Sequence, residues 1–198
     1  GLEPNQHNTL DFDDHLDPSL NTLAEVLSGA GYQTYAVVAN PLLGQRFEFD
    51  QGFDRYISLP VVNNAHRVNR AGLEMLAERK EDKPFFLYLH PIDPHLPYNP
   101  PSPWREEAFD WHQVADPPGP AHPLLPSSDH QGFAQLTTPL FVRYLHGLPP
   151  DVPEPTASLV DALYDGEVAS TDAALGRLFH WLKEKNLYQD SLIIVTSD

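Results

Sequence analysis

Residues 90–98, with the sequence HPIDPHLPY, place two histidines and an aspartate close together between prolines. Histidine titrates near neutral pH, so His90 or His95 could donate to an anionic oxygen or protonate a leaving group. The prolines on both sides of His95 restrict the backbone and would hold its side chain in place at low entropic cost. A simpler interpretation is that Asp93 starts a turn with the proline that follows and that His90 only ends a strand.

Two further polar residues follow apolar runs of the chain. Asn40 comes after the run 34–39, and Asp198 comes after the run 191–197. Runs of this kind, and the similar run 84–90, are typical of strands that are buried on both faces of a parallel sheet. Ligands bind beyond the carboxyl ends of such strands, so these residues are expected to meet the 90–98 segment at one edge. Asp198 would suit a divalent cation there, or it could simply be a turn residue.

Helical patterns separate the predicted strands. Thr22 and Glu25 have the spacing of a capping box, so a short helix is expected there that ends at Gly29 or Gly31. Further helices are predicted from residue 64 to about 80 and from 160 to about 185. The apolar face predicted for the last helix consists of Val160, Tyr164, Val168, Leu175, Leu178 and Leu182. The order of elements predicts an α/β fold: a three-layer α/β/α sandwich with a mostly parallel sheet.

Composition narrows the classes of function. The 198 residues carry a formal net charge of −16, which argues against non-specific nucleic-acid binding and against a polybasic membrane surface. There is no cysteine, so these residues contain no disulfide, zinc–thiolate site or cysteine nucleophile. No apolar run approaches the roughly 20 residues of a membrane helix.

Proline is concentrated in one part of the chain. Sixteen of the 21 prolines lie between Pro91 and Pro155, which argues against regular helix or central strand in that segment. We expect a proline-rich insertion over residues 99–158 that packs down through its aromatic side chains. A disordered insertion is the alternative.

The ordered set of motifs resembles the sulfatase family of the alkaline-phosphatase-like superfamily. The segments that carry the resemblance are residues 22–34, 51–54, 84–98, 164–178 and 193–198. Members of the family cleave sulfate esters with a formylglycine nucleophile and a bound divalent cation, usually Ca²⁺. The resemblance implies that Asp198 is a metal ligand and that His95 contacts the sulfate and assists the leaving group. His90 and Asn40 are further candidates for contact with the substrate.

Two departures from the family pattern stand out. No Cys/Ser-x-Pro-x-Arg motif occurs in the sequence, so the formylglycine and most metal ligands are expected outside it. Asn40 and Leu42 stand where many members have a lysine and a histidine. We therefore expect residues 1–198 to be the middle of one sulfatase-like catalytic domain that begins upstream and continues downstream, and to be inactive alone.

The substrate expected of the parent protein is a small-molecule or carbohydrate sulfate ester, with no nucleic-acid partner. A phosphonate or phosphate-ester hydrolase of the same superfamily is the alternative, as is a non-catalytic homologue that binds anions or carbohydrates. By resemblance alone, a periplasmic, secreted or membrane-anchored location is compatible with the sequence.

Overall fold

The computed structural model describes residues 3, 7, 9, 11, 13–60, 65–95, 98–108 and 156–196. The chain divides into two compact units. The first combines Gly1–Ile92 with Ala174–Asp198, and the second is Asp93–Ala173.

The first unit contains a three-stranded parallel sheet. Its strands are β1 (Gln33–Val38), β2 (Arg55–Ser58) and β3 (Phe85–His90), in the spatial order β2-β1-β3. At the carboxyl end of the sheet, Val38 pairs with Ser58 on one side and with His90 on the other. The predicted α/β class and parallel sheet are confirmed.

Strand β1 is the central strand and is buried on both faces. Its residues Thr34, Ala36, Val37 and Val38 have no exposed surface, as expected for a continuous apolar run. Helices α1 (Leu23–Gly29) and α2 (Ala65–Ala77) both contact it. The main core cluster of this unit consists of Tyr35, Val37, Ala39, Val68, Met75, Leu76, Leu178 and Leu182.

The predicted capping box at the start of α1 is present. The Thr22 hydroxyl accepts a hydrogen bond from the Glu25 backbone N–H at 3.1 Å, and the Glu25 carboxylate accepts one from the Thr22 N–H at 2.8 Å. The helix ends at Gly29, and Gly31 follows with a φ of 92°, a conformation that glycine adopts at little cost.

One predicted strand is wrong, and one observed strand was not predicted. Residues 191–196 are irregular rather than a buried strand, and Leu192, Ile194 and Val195 are 89%, 77% and 68% exposed. Their β propensity is high, but a strand also needs a hydrogen-bonded neighbour, and the sheet described here gives them none. Strand β2 was not predicted, because its four residues RYIS do not form an apolar run.

The described part of the second unit contains α3 (Trp104–Ala108) and the start of α4 (Thr156–Glu184), a helix that extends into the first unit. The α3 helix corrects the expectation of no regular helix between Pro91 and Pro155. It begins directly after Pro103, where proline is tolerated because the first helical N–H groups need no intrahelical partner. Residues 109–155 of the predicted insertion lie outside the described part of the chain.

Helix α4 confirms the predicted helix but not the whole of its apolar face. Leu178 and Leu182 are buried as expected, whereas Tyr164 and Val168 are 42% and 43% exposed. Within residues 160–184 of this helix, whose side chains the structure describes, the buried residues are Leu163, Gly166, Glu167, Ser170, Ala174, Leu178 and Leu182. The apolar pattern therefore predicted the wrong face for the first half of the helix. The face that is buried there carries the carboxyl group of Glu167, which an apolar pattern does not include.

Candidate functional site

The carboxyl ends of the three strands meet at one edge of the sheet. The Ala39 backbone N–H donates to the His90 carbonyl at 2.8 Å, and the Leu59 N–H donates to the Val38 carbonyl at 2.8 Å. These bonds continue the parallel ladders past the last strand residues. Asn40 and His90 are consequently brought to neighbouring strand ends, at the edge where ligands bind in open α/β sheets.

Asn40 acts as the N-cap of a short 3-10 helix. The helix spans Pro41–Leu43, and the Asn40 side-chain oxygen accepts a hydrogen bond from the Leu42 N–H at 2.9 Å. The side chain is half-buried. Among the described residues, its amide nitrogen donates to no other group, so that nitrogen is the atom that could reach an anionic oxygen.

The His90 imidazole is held on the sheet by its neighbour on the same strand face. The Tyr88 hydroxyl lies 3.0 Å from His90 Nδ1, and the two ring centroids are 6.0 Å apart. Residues two apart on a strand point to the same face, so this contact follows from local geometry. When Nδ1 accepts from the tyrosine, the proton of the neutral ring is on Nε2.

His95 is exposed and belongs to the second unit. The loop that carries it begins at Asp93 and rejoins described chain at residue 98. Both of these ends are fixed against α4. The Asn99 backbone N–H donates to Glu167 Oε1 at 2.7 Å, and the Asp93 carboxyl hydrogen-bonds to the same glutamate side chain.

Three consecutive residues after the loop dock on one stretch of α4. The Tyr98 and Tyr164 rings make an edge-to-face contact at 5.5 Å. Asn99 binds Glu167, and Pro100 is buried next to Gly166. A Cβ at position 166 would lie 2.9 Å from Pro100 Cγ and 3.2 Å from the Trp104 carbonyl oxygen, so the glycine permits this close approach.

Glu167 is 4% exposed, which is rare for a carboxyl group. Burial and, secondarily, the neighbouring Asp93 carboxyl raise the pKa of Glu167 to about 8, against the Asn99 N–H and Arg105, which lower it. The oxygen Oε2 is buried and receives no hydrogen bond from an N–H or hydroxyl donor of the described residues. Its surroundings therefore favour the neutral carboxylic acid over the carboxylate.

Sequence reasoning missed the role of Glu167. Its signal was available, because Leu163, Glu167, Ser170 and Ala174 recur at helical spacing and define an alternative face of α4. An acidic residue in the middle of such a face indicates a specific partner, since a charge is rarely buried without one.

A family model described as Sulfatase matches residues 1–198. The chain belongs to the sulfatase family. Its structure is also similar to that of BT4656, which was determined in complex with its substrate D-glucosamine-2-N,6-O-disulfate, with a TM-score of 0.57 and 15% sequence identity. The match covers 93% of this chain and 51% of that one, so the chain spans about half the length of that protein. At this identity the likeness supports the fold alone.

The sulfatase chain departs from the expected pattern where β1 ends. Asn40 takes the place at which a lysine is expected, and Leu42, where a histidine is expected, is 38% exposed on the 3-10 helix. Asn40 can donate a neutral hydrogen bond but carries no charge, and Leu42 can do neither. Neither side chain can therefore supply a cationic contact.

A divalent cation is expected for the sulfatase family. In residues 13–60, 65–95, 98–108 and 156–196, no group of three or more His, Asp or Glu side chains could hold a metal ion. Asp198, the predicted ligand, lies outside the described residues. We therefore assign no chemical step to a cation.

The described helices include none that is long and apolar enough to cross a membrane.

Proposed function

We propose that the protein containing this chain hydrolyses sulfate esters, with a small molecule or a sulfated carbohydrate as substrate. The observation that carries the proposal is the match of the Sulfatase model to all of residues 1–198. The sulfated sugar bound by BT4656 supports a carbohydrate among the substrates to be tried first.

His95 is the residue to which we assign catalysis. Its imidazole is exposed on a loop whose two ends are fixed, so it can meet a substrate without a large loss of loop entropy. A protonated imidazole would bind the sulfate and give its proton to the leaving alcohol oxygen as the S–O bond breaks. Proton donation is most valuable for an alkyl alcohol, because an alkoxide is a poor leaving group.

Asn40 and His90 are proposed to bind the sulfate group at the carboxyl edge of the sheet. The Asn40 amide nitrogen and His90 Nε2 are both donors in the states described above. Donors of this kind stabilise negative charge that develops on oxygen during ester cleavage. They also provide local attraction for an anion in a chain with a formal net charge of −16.

We further propose that hydrolysis depends on a divalent cation, Ca²⁺ in the first instance, and that Asp198 is one ligand. The nucleophile is proposed to be a formylglycine outside residues 1–198, since these residues contain neither cysteine nor a Ser-x-Pro-x-Arg sequence. On this proposal, residues 1–198 expressed alone do not turn over a sulfate ester.

The test is hydrolysis of an aryl sulfate and of glucosamine 6-sulfate by the full-length protein and two matched variants. His95→Ala should lower kcat by about 100-fold or more. His180→Ala should match the parent protein, because His180 is an exposed helical residue whose ring only approaches Glu184 at 3.3 Å. The loss should be smaller on the aryl sulfate, whose leaving group needs less protonation.

Three results would contradict the proposal. Equal activity of the two variants would remove His95 from the reaction. Faster hydrolysis of an aryl phosphate or a phosphonate ester than of the sulfate would favour the phosphoryl-transfer alternative. Binding of the sulfated sugar without turnover of any ester would indicate a non-catalytic homologue.

A further inference from the structure

One buried carboxyl group contacts both ends of the loop that carries His95. Glu167 accepts from the Asn99 N–H at 2.7 Å after the loop, and it hydrogen-bonds to the Asp93 carboxyl before it. The neighbouring contacts of Tyr98 with Tyr164 and of Pro100 with Gly166 also pack this stretch of chain against α4. The contact between Asn99 and Glu167 lies between these two.

The contact between two carboxyl groups requires a proton. Two carboxylates offer only acceptor oxygens, so Glu167 and Asp93 can share a hydrogen bond only when one of them is neutral. Glu167 is the more buried of the two, at 4% exposure, whereas Asp93 is half-buried. The proton is therefore better placed on Glu167, since burial penalises the charged form.

We infer that Glu167 is a positioning residue whose neutral carboxyl group ties Asp93 to Asn99 and thereby fixes the position of His95. The inference rests on the proposed function, because the position of His95 matters for activity only if His95 takes part in the reaction. Glu167 donates its proton to the Asp93 carboxylate and accepts from the Asn99 N–H. It touches no reacting atom itself.

The inference makes the loop sensitive to alkaline pH. The titratable groups that face Glu167 are Asp93, Arg105 and Tyr98. The pKa of Glu167 is raised from an ordinary 4.5 to about 8 in the folded protein. Its stabilising contribution is thus complete below pH 4.5 and is lost as the pH rises through about 8. Above that pH, two adjacent carboxylates repel each other and release the Asp93 end of the loop.

Two substitutions in the full-length protein separate the proton-mediated contact from simple packing. Glu167→Gln keeps an acceptor for the Asn99 N–H and supplies a permanent N–H donor to Asp93. Glu167→Met fills a similar volume but provides neither the acceptor for the Asn99 N–H nor the donor to Asp93. We expect the glutamine variant to keep kcat within about threefold and to extend activity to higher pH, and the methionine variant to lose about tenfold to 100-fold in kcat.

A second readout does not depend on the reaction. Exchange of the Asn99 backbone amide, measured at one mildly acidic pH, should be slow in the parent protein and in Glu167→Gln and at least tenfold faster in Glu167→Met. If His95→Ala were fully active while Asn99 followed this pattern, the proposed catalytic role of His95 would fail and the positioning role of Glu167 would stand. If His95→Ala were inactive and all three proteins protected Asn99 equally, the catalytic role of His95 would stand and the positioning role of Glu167 would fail.

Asp93→Asn provides an independent test in case Glu167→Met does not fold. An amide at position 93 can donate to an ionised Glu167, so the loss of activity above pH 8 should become smaller. The fall in thermal stability as the pH rises from 4.5 through about 8 should also become smaller. The same alkaline loss in Asp93→Asn and Glu167→Gln as in the parent protein would overturn the inference. So would a Glu167→Met variant that matches Glu167→Gln in kcat, pH profile and Asn99 exchange.

Discussion

Asn40 presents its two side-chain polar atoms to different surroundings. The oxygen is used by the fold, because it accepts from the Leu42 N–H and starts the 3-10 helix Pro41–Leu43. The amide nitrogen is available for a ligand at the strand edge. A single alanine substitution would therefore confuse a lost cap with a lost substrate contact.

We predict that Asn40→Asp separates the two roles. Aspartate caps a helix about as well as asparagine, so the free energy of unfolding should change by less than about 0.5 kcal/mol. It replaces the N–H donor with a negative charge next to the proposed sulfate position, so kcat/KM should fall by about tenfold or more. Chemical denaturation and steady-state kinetics on the full-length protein measure the two effects.

Asn40→Ala is the companion variant for this prediction. It should cost about 1 kcal/mol of stability through the lost cap as well as activity. Full activity in both variants would leave Asn40 with a capping role alone.

Among the helices and strands, those specified by residues close together in the sequence could be predicted. The capping box of Thr22 and Glu25 fixed the start of α1, and the apolar runs around residues 34–39 and 84–90 identified β1 and β3. The sequence did not reveal β2, whose pairing with β1 depends on a non-local partner. The strand expected at 191–197 failed for the same reason, because apolarity does not specify a hydrogen-bonded neighbour.

In the candidate site, too, features set by the local sequence and the strand order could be predicted, and those set by distant residues could not. The edge position of Asn40 and His90 could be predicted, because it follows from the parallel order of the strands. The attachment of the His95 loop could not be predicted, because it depends on Glu167, which lies 68 residues beyond its partner Asn99. Glycine at 166 and glutamate at 167 make sense only once Pro100 and Asn99 are known to lie against them.

Gly52 and Gly176 provide a prediction at this scale. Gly52 has a φ of 87°, and a Cβ there would lie 2.4 Å from the Glu25 backbone nitrogen, inside the capping box of α1. Gly52→Ala should therefore destabilise the protein by about 2 kcal/mol or more, since rigid backbone must move. Gly176 lies within α4 with no other atom within 4 Å of its Cβ position, so Gly176→Ala should stabilise by about 0.5–1 kcal/mol.

Thermal and urea unfolding of the two variants checks this pair. The opposite signs make the comparison internally controlled, because both changes add one methyl group to a glycine. A Gly52→Ala variant as stable as the parent protein would mean that the turn before β2 does not pack on α1 as described.

At the scale of the whole molecule, charge is the property that the proposed function must accommodate. Residues 1–198 carry 28 acidic and 12 basic side chains, so their formal net charge of −16 repels an anionic sulfate ester at long range. On the proposed function, binding would rely on short-range donors and on a cation. The described residues include no cluster able to hold a cation, and the proposed ligand Asp198 lies outside them.

We therefore predict that removal of divalent cations abolishes hydrolysis by the full-length protein. Dialysis against EDTA, with elemental analysis to confirm the loss of metal, should reduce the rate to the uncatalysed level, and Ca²⁺ should restore it. Asp198→Asn should raise the Ca²⁺ concentration needed for half-maximal activity by about tenfold or more, because a neutral amide is a weaker ligand for a hard cation. Asp190→Asn, which changes an exposed aspartate, should leave that concentration unchanged. Metal-free protein that retains its full rate would contradict the proposed cation dependence, and equal behaviour of the two variants would remove Asp198 from the ligand set.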